Sequence, residues 1–180
     1  IGWLRQQRAE TPDRPYFAYL ATGATHAPHH APKEWIDKYR GKFDQGWDKY
    51  REETFTRQKK LGVIPADARL APRPASVPAW QDTDPKQRPM LARQMEVFAA
   101  FMSHTDHEIG RFLDEVRRLP GGENTLVLYV VGDNGPSPEG GLTGSRFHTS
   151  RVFGVSEPPE SIAAAIDELE RRIRAGEQDV

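Results

Sequence analysis

Asp133-Asn134-Gly135 follows directly on an uninterrupted apolar run. A carboxylate beside an amide carbonyl offers two hard oxygen donors, which suit Ca2+, with Mg2+ second, and not a soft metal. Ca2+ takes roughly 6–8 oxygens, so other segments would have to complete the shell. The competing reading is a turn in which Asp133 and Asn134 bond to their own backbone. The loop His26-Ala-Pro-His29-His30 holds three imidazoles. One His can donate to an anion or protonate a leaving group. Three together make zinc conceivable, but His29 and His30 are adjacent and no carboxylate motif accompanies them. Surface imidazoles are the plain alternative. His104 and His107 stand three apart on a helical stretch and share a face. A helix-surface or buried polar role suits them better than zinc, because the residues around them are packing residues.

Other chemistry is excluded by composition. The 180 residues contain no Cys, so there is no disulfide, thiolate metal site or thiol nucleophile. Lys and Arg number 25 against 26 Asp and Glu. That balance points to no nucleic-acid partner and no anionic membrane. The longest apolar run, residues 125–131, is seven long, far short of the ~18 of a membrane span. The first residues lack the basic and apolar regions of a signal peptide, and the chain does not begin with Met. The hydrophobic fraction is 37% against a usual ~45–50%, so the core is lean. With 15 Gly and 15 Pro, long punctuated loops are expected.

These groups need elements to position them. Residues 15–21 (PYFAYLA) read as a buried strand, and 125–131 (TLVLYVV) as a strand covered on both faces. Residues 33–39 read as a short helix entered by Pro32, and 46–61 as a helix ending at Gly62. Five prolines make 63–87 an irregular excursion. In 88–118, Leu91, Met95, Phe98, Met102, Thr105, Ile109, Phe112 and Val116 recur every three or four residues, the stripe of a long amphipathic helix whose Met and Phe face the core. Residues 160–174 form a last helix, with Ile162, Ile166, Leu169 and Ile173 on one face. Strand, long helix, strand is a crossover unit, which predicts an α/β fold with a mostly parallel sheet. Ligands then sit beyond the carboxyl ends of the strands. The His26 loop and Asp133-Asn134 both fall there.

Taken together, these segments resemble the type I sulfatases, in particular the bacterial arylsulfatases of the alkaline-phosphatase superfamily. The resemblance is carried by residues 15–30 (PYFAYLATGATHAPHH), 33–48, 57–65 (RQKKLGVIP), Met95-Glu-Val-Phe, His104-Thr-Asp-His-Glu-Ile-Gly-Arg and 124–135. It runs from about residue 11 to about 169, in order. It implies an alkaline-phosphatase-like mixed, mostly parallel sheet flanked by helices. Residues 1–169 would be part of the catalytic domain, incomplete at both ends, and 170–180 a divergent tail. It implies hydrolysis of a small-molecule sulfate ester by a formylglycine nucleophile lying outside this chain. Asp133 and Asn134 would be two of the Ca2+ ligands, and His26 the catalytic and substrate-binding residue that contacts the sulfate group. A cation and a protonated His would neutralise the charge of the transferring group.

The chain also departs from that pattern. Without Cys, a Cys-type formylglycine cannot form. Ser76-Val-Pro-Ala-Trp80 imitates the Ser-type motif but has Trp80 where the family has Arg, and lies in the proline-rich excursion. The earlier Asp pair and the Lys expected after the Asp-Asn loop are missing. The expectation is therefore a central fragment of a sulfuric ester hydrolase. The alternatives are a catalytically dead chain or a phosphatase or phosphodiesterase of the same superfamily.

Overall fold

A computed structural model describes residues 1–132, 135, 140–147, 153–155 and 157–175. Its helices are α1 (Gly2–Glu10), α2 (Lys33–Asp37), α3 (Gly46–Leu61), α4 (Arg88–Arg118) and α5 (Pro159–Arg174). Single 3-10 turns occur at Trp80–Asp82 and Gly122–Asn124. There is no β-strand among the described residues. This overturns the expected α/β fold with its alkaline-phosphatase-like parallel sheet. Residues 15–21 and 125–131 form no regular secondary structure and are largely exposed rather than buried: Phe17 is 88% and Val130 89% accessible. The reason is physical. A helix closes its hydrogen bonds within itself, whereas an apolar extended segment becomes a strand only when a neighbour supplies the ladder.

The helices follow local signals. α3 stops where Gly62 takes φ 72°. There the Gly62 N–H donates to Lys59 O and the Val63 N–H to Gln58 O, satisfying the last carbonyls. α4 begins with Pro89 in its first turn and ends one residue before Leu119 turns extended ahead of Pro120. α2 is shorter than expected, ending at Asp37. α1 was not expected at all. Its Leu4 and Arg8, four apart, are both buried.

α2 packs on α4, the axis of the structure. The face α4 buries most deeply is not the expected Met and Phe stripe. Ala92, Glu96 and Ala100 are buried at successive fours, whereas Met102 is 50% exposed and, of that stripe, only Val116 is buried. Small side chains let a neighbouring segment approach closely, while most of the bulky stripe beside them stays half-buried. Glu96 accepts the Gly41 N–H at 2.7 Å and pairs with Arg93 at 2.7 Å. Arg93 also reaches Glu170 of α5 at 2.9 Å. In the last helix, Ile162 is buried but Leu169 is 43% exposed.

The proline-rich excursion folds back on α3. Trp47 Nε1 donates to Pro78 O at 3.0 Å, and the Trp80 N–H donates to Asp48 Oδ2 at 2.8 Å. The two indoles meet edge to face at 4.7 Å. Gly46 makes room for this. Its φ is +78°, and a Cβ there would lie 2.1 Å from Trp80 Cγ. Gly62 shares the left-handed conformation, but a Cβ would meet nothing within 4 Å. Gly62→Ala should therefore cost only the backbone strain, about 1–2 kcal/mol. Gly46→Ala should cost more, because Trp80 must also be displaced. Urea unfolding of both variants checks the order.

Arg8 is 4% accessible. Its guanidinium donates to Pro120 O (3.2 and 2.9 Å), Thr11 O (3.1 Å), Arg14 O (2.6 Å) and Pro12 O. One side chain thus joins the approach to residues 15–21 with the turn before 125–131. Tyr16 OH and Thr125 Oγ1 stand 3.4 Å apart. Arg8→Met should lower stability by about 2–4 kcal/mol, since several half-buried carbonyls lose their donor. Denaturant titration of the variant measures this.

Candidate functional site

The His loop lies against the α2–α4 pair. His29 meets Phe98 edge-on at 5.2 Å and Phe101 at 5.9 Å. Trp35 of α2 contacts both His104 (5.3 Å) and His107 (5.2 Å) of α4. The i, i+3 spacing puts both imidazoles over one indole. Lys38 Nζ sits 3.3 Å from the centre of the same ring, a cation–π contact. Tyr39 OH contacts Ser103 Oγ, which donates to Ala99 O at 2.9 Å. His104 Nε2 lies 3.8 Å from Glu108, and Glu108 pairs with Arg111. The Arg111 hydrogen bond holds the Glu108 carboxyl below the usual range.

His26 is exposed at the start of this loop. Its Nδ1 stands 2.8 Å from Ala27 O. A carbonyl only accepts, so Nδ1 carries the proton in this contact. In the neutral ring Nε2 is then an acceptor, and donating from Nε2 to an anion requires the imidazolium. His30 is exposed. The structure gathers His29, His104 and His107 around aromatic rings. Asp133 and Asn134 lie outside the described residues, so the shared rim with His26 falls there too.

Among the described residues no three His, Asp or Glu side chains converge where an ion could be held. The Ca2+ expectation therefore rests on Asp133 and Asn134 alone. Ser103 and Thr105, which flank His104, donate to Ala99 O and Phe101 O, so neither hydroxyl is paired with an imidazole as nucleophile and base. Trp80, which ends the Ser76 motif, is a packing residue against Trp47. No helix among the described residues is long and apolar enough to cross a membrane.

The buried charges escaped the sequence reading. Glu115 accepts Arg5 Nε at 2.5 Å and Nη2 at 2.6 Å, linking α4 to α1. Glu96 had a legible signal, since it falls between Ala92 and Ala100 on one helical face. The role of Trp35 had none, because the spacing of α2 does not reveal what it packs on.

Residues 2–158 match the sulfatase family. The arylsulfatase of Klebsiella aerogenes is 33% identical over 141 residues, covering 78% of this chain and 29% of that protein. An uncharacterized sulfatase of Schizosaccharomyces pombe is 37% identical over 121 residues, covering 67% and 22%. A sulfatase of Formosa agariphila is 21% identical over 141 residues. The chain belongs to the sulfatase family, and it spans less than a third of the length of these relatives. Membership by sequence does not bring the expected scaffold with it. The alkaline-phosphatase-type sheet, on which the sulfuric ester hydrolase and its phosphatase or phosphodiesterase alternative both depend, is missing from the described residues, whose only regular elements are helices. The reading of this chain as such a hydrolase is corrected accordingly.

Besides Glu108, three more carboxylates have lowered pKa values with clear causes. Asp37 is held down by hydrogen bonds from Lys33 and Arg40, Glu115 by Arg5, and Glu157 by Arg146 and Ser145. A depressed folded pKa stabilises above the unfolded value. That contribution is lost as pH falls through the folded one. Stability should thus be steady above about pH 5 and fall at lower pH, starting near ordinary carboxylate values of ~4. Urea midpoints between pH 7 and 2.5 should show this, with a shallower acid loss in Glu115→Gln and Asp37→Asn.

Proposed function

We propose that this chain contributes binding and not turnover to a sulfatase-family protein. Asp133 and Asn134 offer oxygen donors to a Ca2+ ion, with Mg2+ second. His26 contacts the sulfate group of a small-molecule sulfate ester. The observation that carries this reading is the family match over residues 2–158, which spans all three positions. Residue chemistry supports it: hard donors suit a hard cation, and an exposed imidazole can donate a hydrogen bond to an anion. A covalent route is not part of the reading, because the chain has no Cys from which to make the family's nucleophile and Ser76 lacks the motif's Arg.

Calorimetric titration tests the assignment. Two ligands alone bind Ca2+ poorly, so a dissociation constant of roughly a millimolar is expected. Asp133→Ala should abolish it, and His26→Ala should leave it unchanged. His26→Ala should instead weaken binding of an aryl sulfate. No aryl sulfate turnover above a heat-treated control is expected with Ca2+ present. Ca2+ binding indifferent to Asp133→Ala would place the ion elsewhere.

A further inference from the structure

The loop that carries His26 meets α4 at His29. It opens with a backbone turn in which the His26 N–H donates to Gly23 O at 3.0 Å, and Thr22 Oγ1 donates to Ala24 O at 2.8 Å. It closes at Pro32, whose carbonyl accepts the Trp35 N–H at 2.9 Å as α2 begins. Between these points the His29 ring rests on two rings of α4, edge-on to Phe98 at 5.2 Å and tilted to Phe101 at 5.9 Å. Phe98, Phe101, His104 and His107 follow one another at steps of three, a row of neighbouring rings that winds round the helix. His29 takes the first pair and Trp35 of α2 the second.

What fixes His29 is passed to His26 through a stiff link. The residues between them are Ala27 and Pro28. The ring of Pro28 fixes its φ, and Ala27 is restricted because a proline follows it. The Ala27 carbonyl is the group that accepts from His26 Nδ1 at 2.8 Å. The seat of His29 therefore sets the direction of that carbonyl. The carbonyl in turn sets the His26 ring and the nitrogen that carries its proton. We propose that His29 is a positioning residue for His26: its ring, seated on Phe98 and Phe101, holds the Ala27 carbonyl that orients the His26 imidazole for an anionic sulfate group. The use of that imidazole on a sulfate rests on the binding reading above, whereas the seating of the loop does not.

Ring spectra and ligand titration of the full chain test it. Nitrogen NMR of neutral imidazoles, above about pH 9, tells an Nδ1–H ring from an Nε2–H ring, and His26→Ala identifies the His26 signals. His26 should show the Nδ1–H form in the unaltered chain. His29→Ala and Phe98→Ala should each move it toward the mixture of an unrestrained histidine. The double variant should go no further than either alone, because both remove one contact. His29→Phe keeps a ring on Phe98 and should keep the Nδ1–H form. Aryl sulfate affinity should follow the same order, falling about 3- to 10-fold with His29→Ala, the worth of one edge-to-face ring pair, and holding with His29→Phe. His29 is exposed, so His29→Ala opens no cavity in the core and should leave helical circular dichroism unchanged. A His26 ring indifferent to His29→Ala, additive effects of His29→Ala and Phe98→Ala, or His29→Phe as impaired as His29→Ala would overturn the proposal. If the unaltered chain binds no aryl sulfate, the binding reading fails, while a His26 ring that still responds to His29→Ala supports the positioning role on its own.

Discussion

The buried guanidinium of Arg8 sets where the rest of this structure begins. A charge taken out of water must be surrounded by dipoles or it is expelled. Arg8 finds four carbonyl oxygens, three from the segment that follows α1 and one from the turn that follows α4. Segments more than a hundred residues apart in sequence are thereby fixed side by side. Tyr16 lies over the same guanidinium at 5.0 Å. The two apolar segments leave this point together because one planar fork of donors holds both their roots.

Elsewhere, too, ionic links stand where a larger protein would use an apolar core. Arg5–Glu115 joins α1 to α4, and Arg93 joins Glu96 to Glu170 of α5. The buried apolar side chains among the described residues are Leu4, Phe43, Met90, Ala92, Ala100, Val116 and Ile162, which are mostly small or isolated. Partly buried Arg–carboxylate forks hold geometry well, while their net stabilisation is modest after desolvation. The helices are therefore positioned more firmly than they are stabilised.

What the sequence made legible follows from where each element satisfies its backbone. α3 ends at Gly62, and α4 runs from Arg88 to Arg118, because caps, prolines and period are local facts. The sheet was misread because residues 15–21 and 125–131 have strand composition, and composition says nothing about whether a partner is within reach. The face of α4 was misread for a related reason. Hydrophobicity picked out Met95 and Met102, whereas the positions α4 buries most deeply include the small Ala92 and Ala100. Of the candidate site, the His residues were visible as types, but their aromatic surroundings depend on Trp35 and on loop placement. The family relationship was legible because it lives in ordered short motifs, which survive where a fold inference from one crossover does not.

The return of the proline-rich excursion to α3 has a consequence in chain statistics. Asp48 and Trp80 are 32 residues apart, and closing a loop of that length costs about 3 kcal/mol in configurational entropy. Against this stand an edge-to-face indole pair and a few hydrogen bonds of about 1 kcal/mol each. The closure is thus nearly balanced, although prolines reduce what the open chain has to lose. Such a segment opens as a unit of its own while α2 and α4 stay together. Its amides would exchange with solvent far sooner than those of the helix that anchors it.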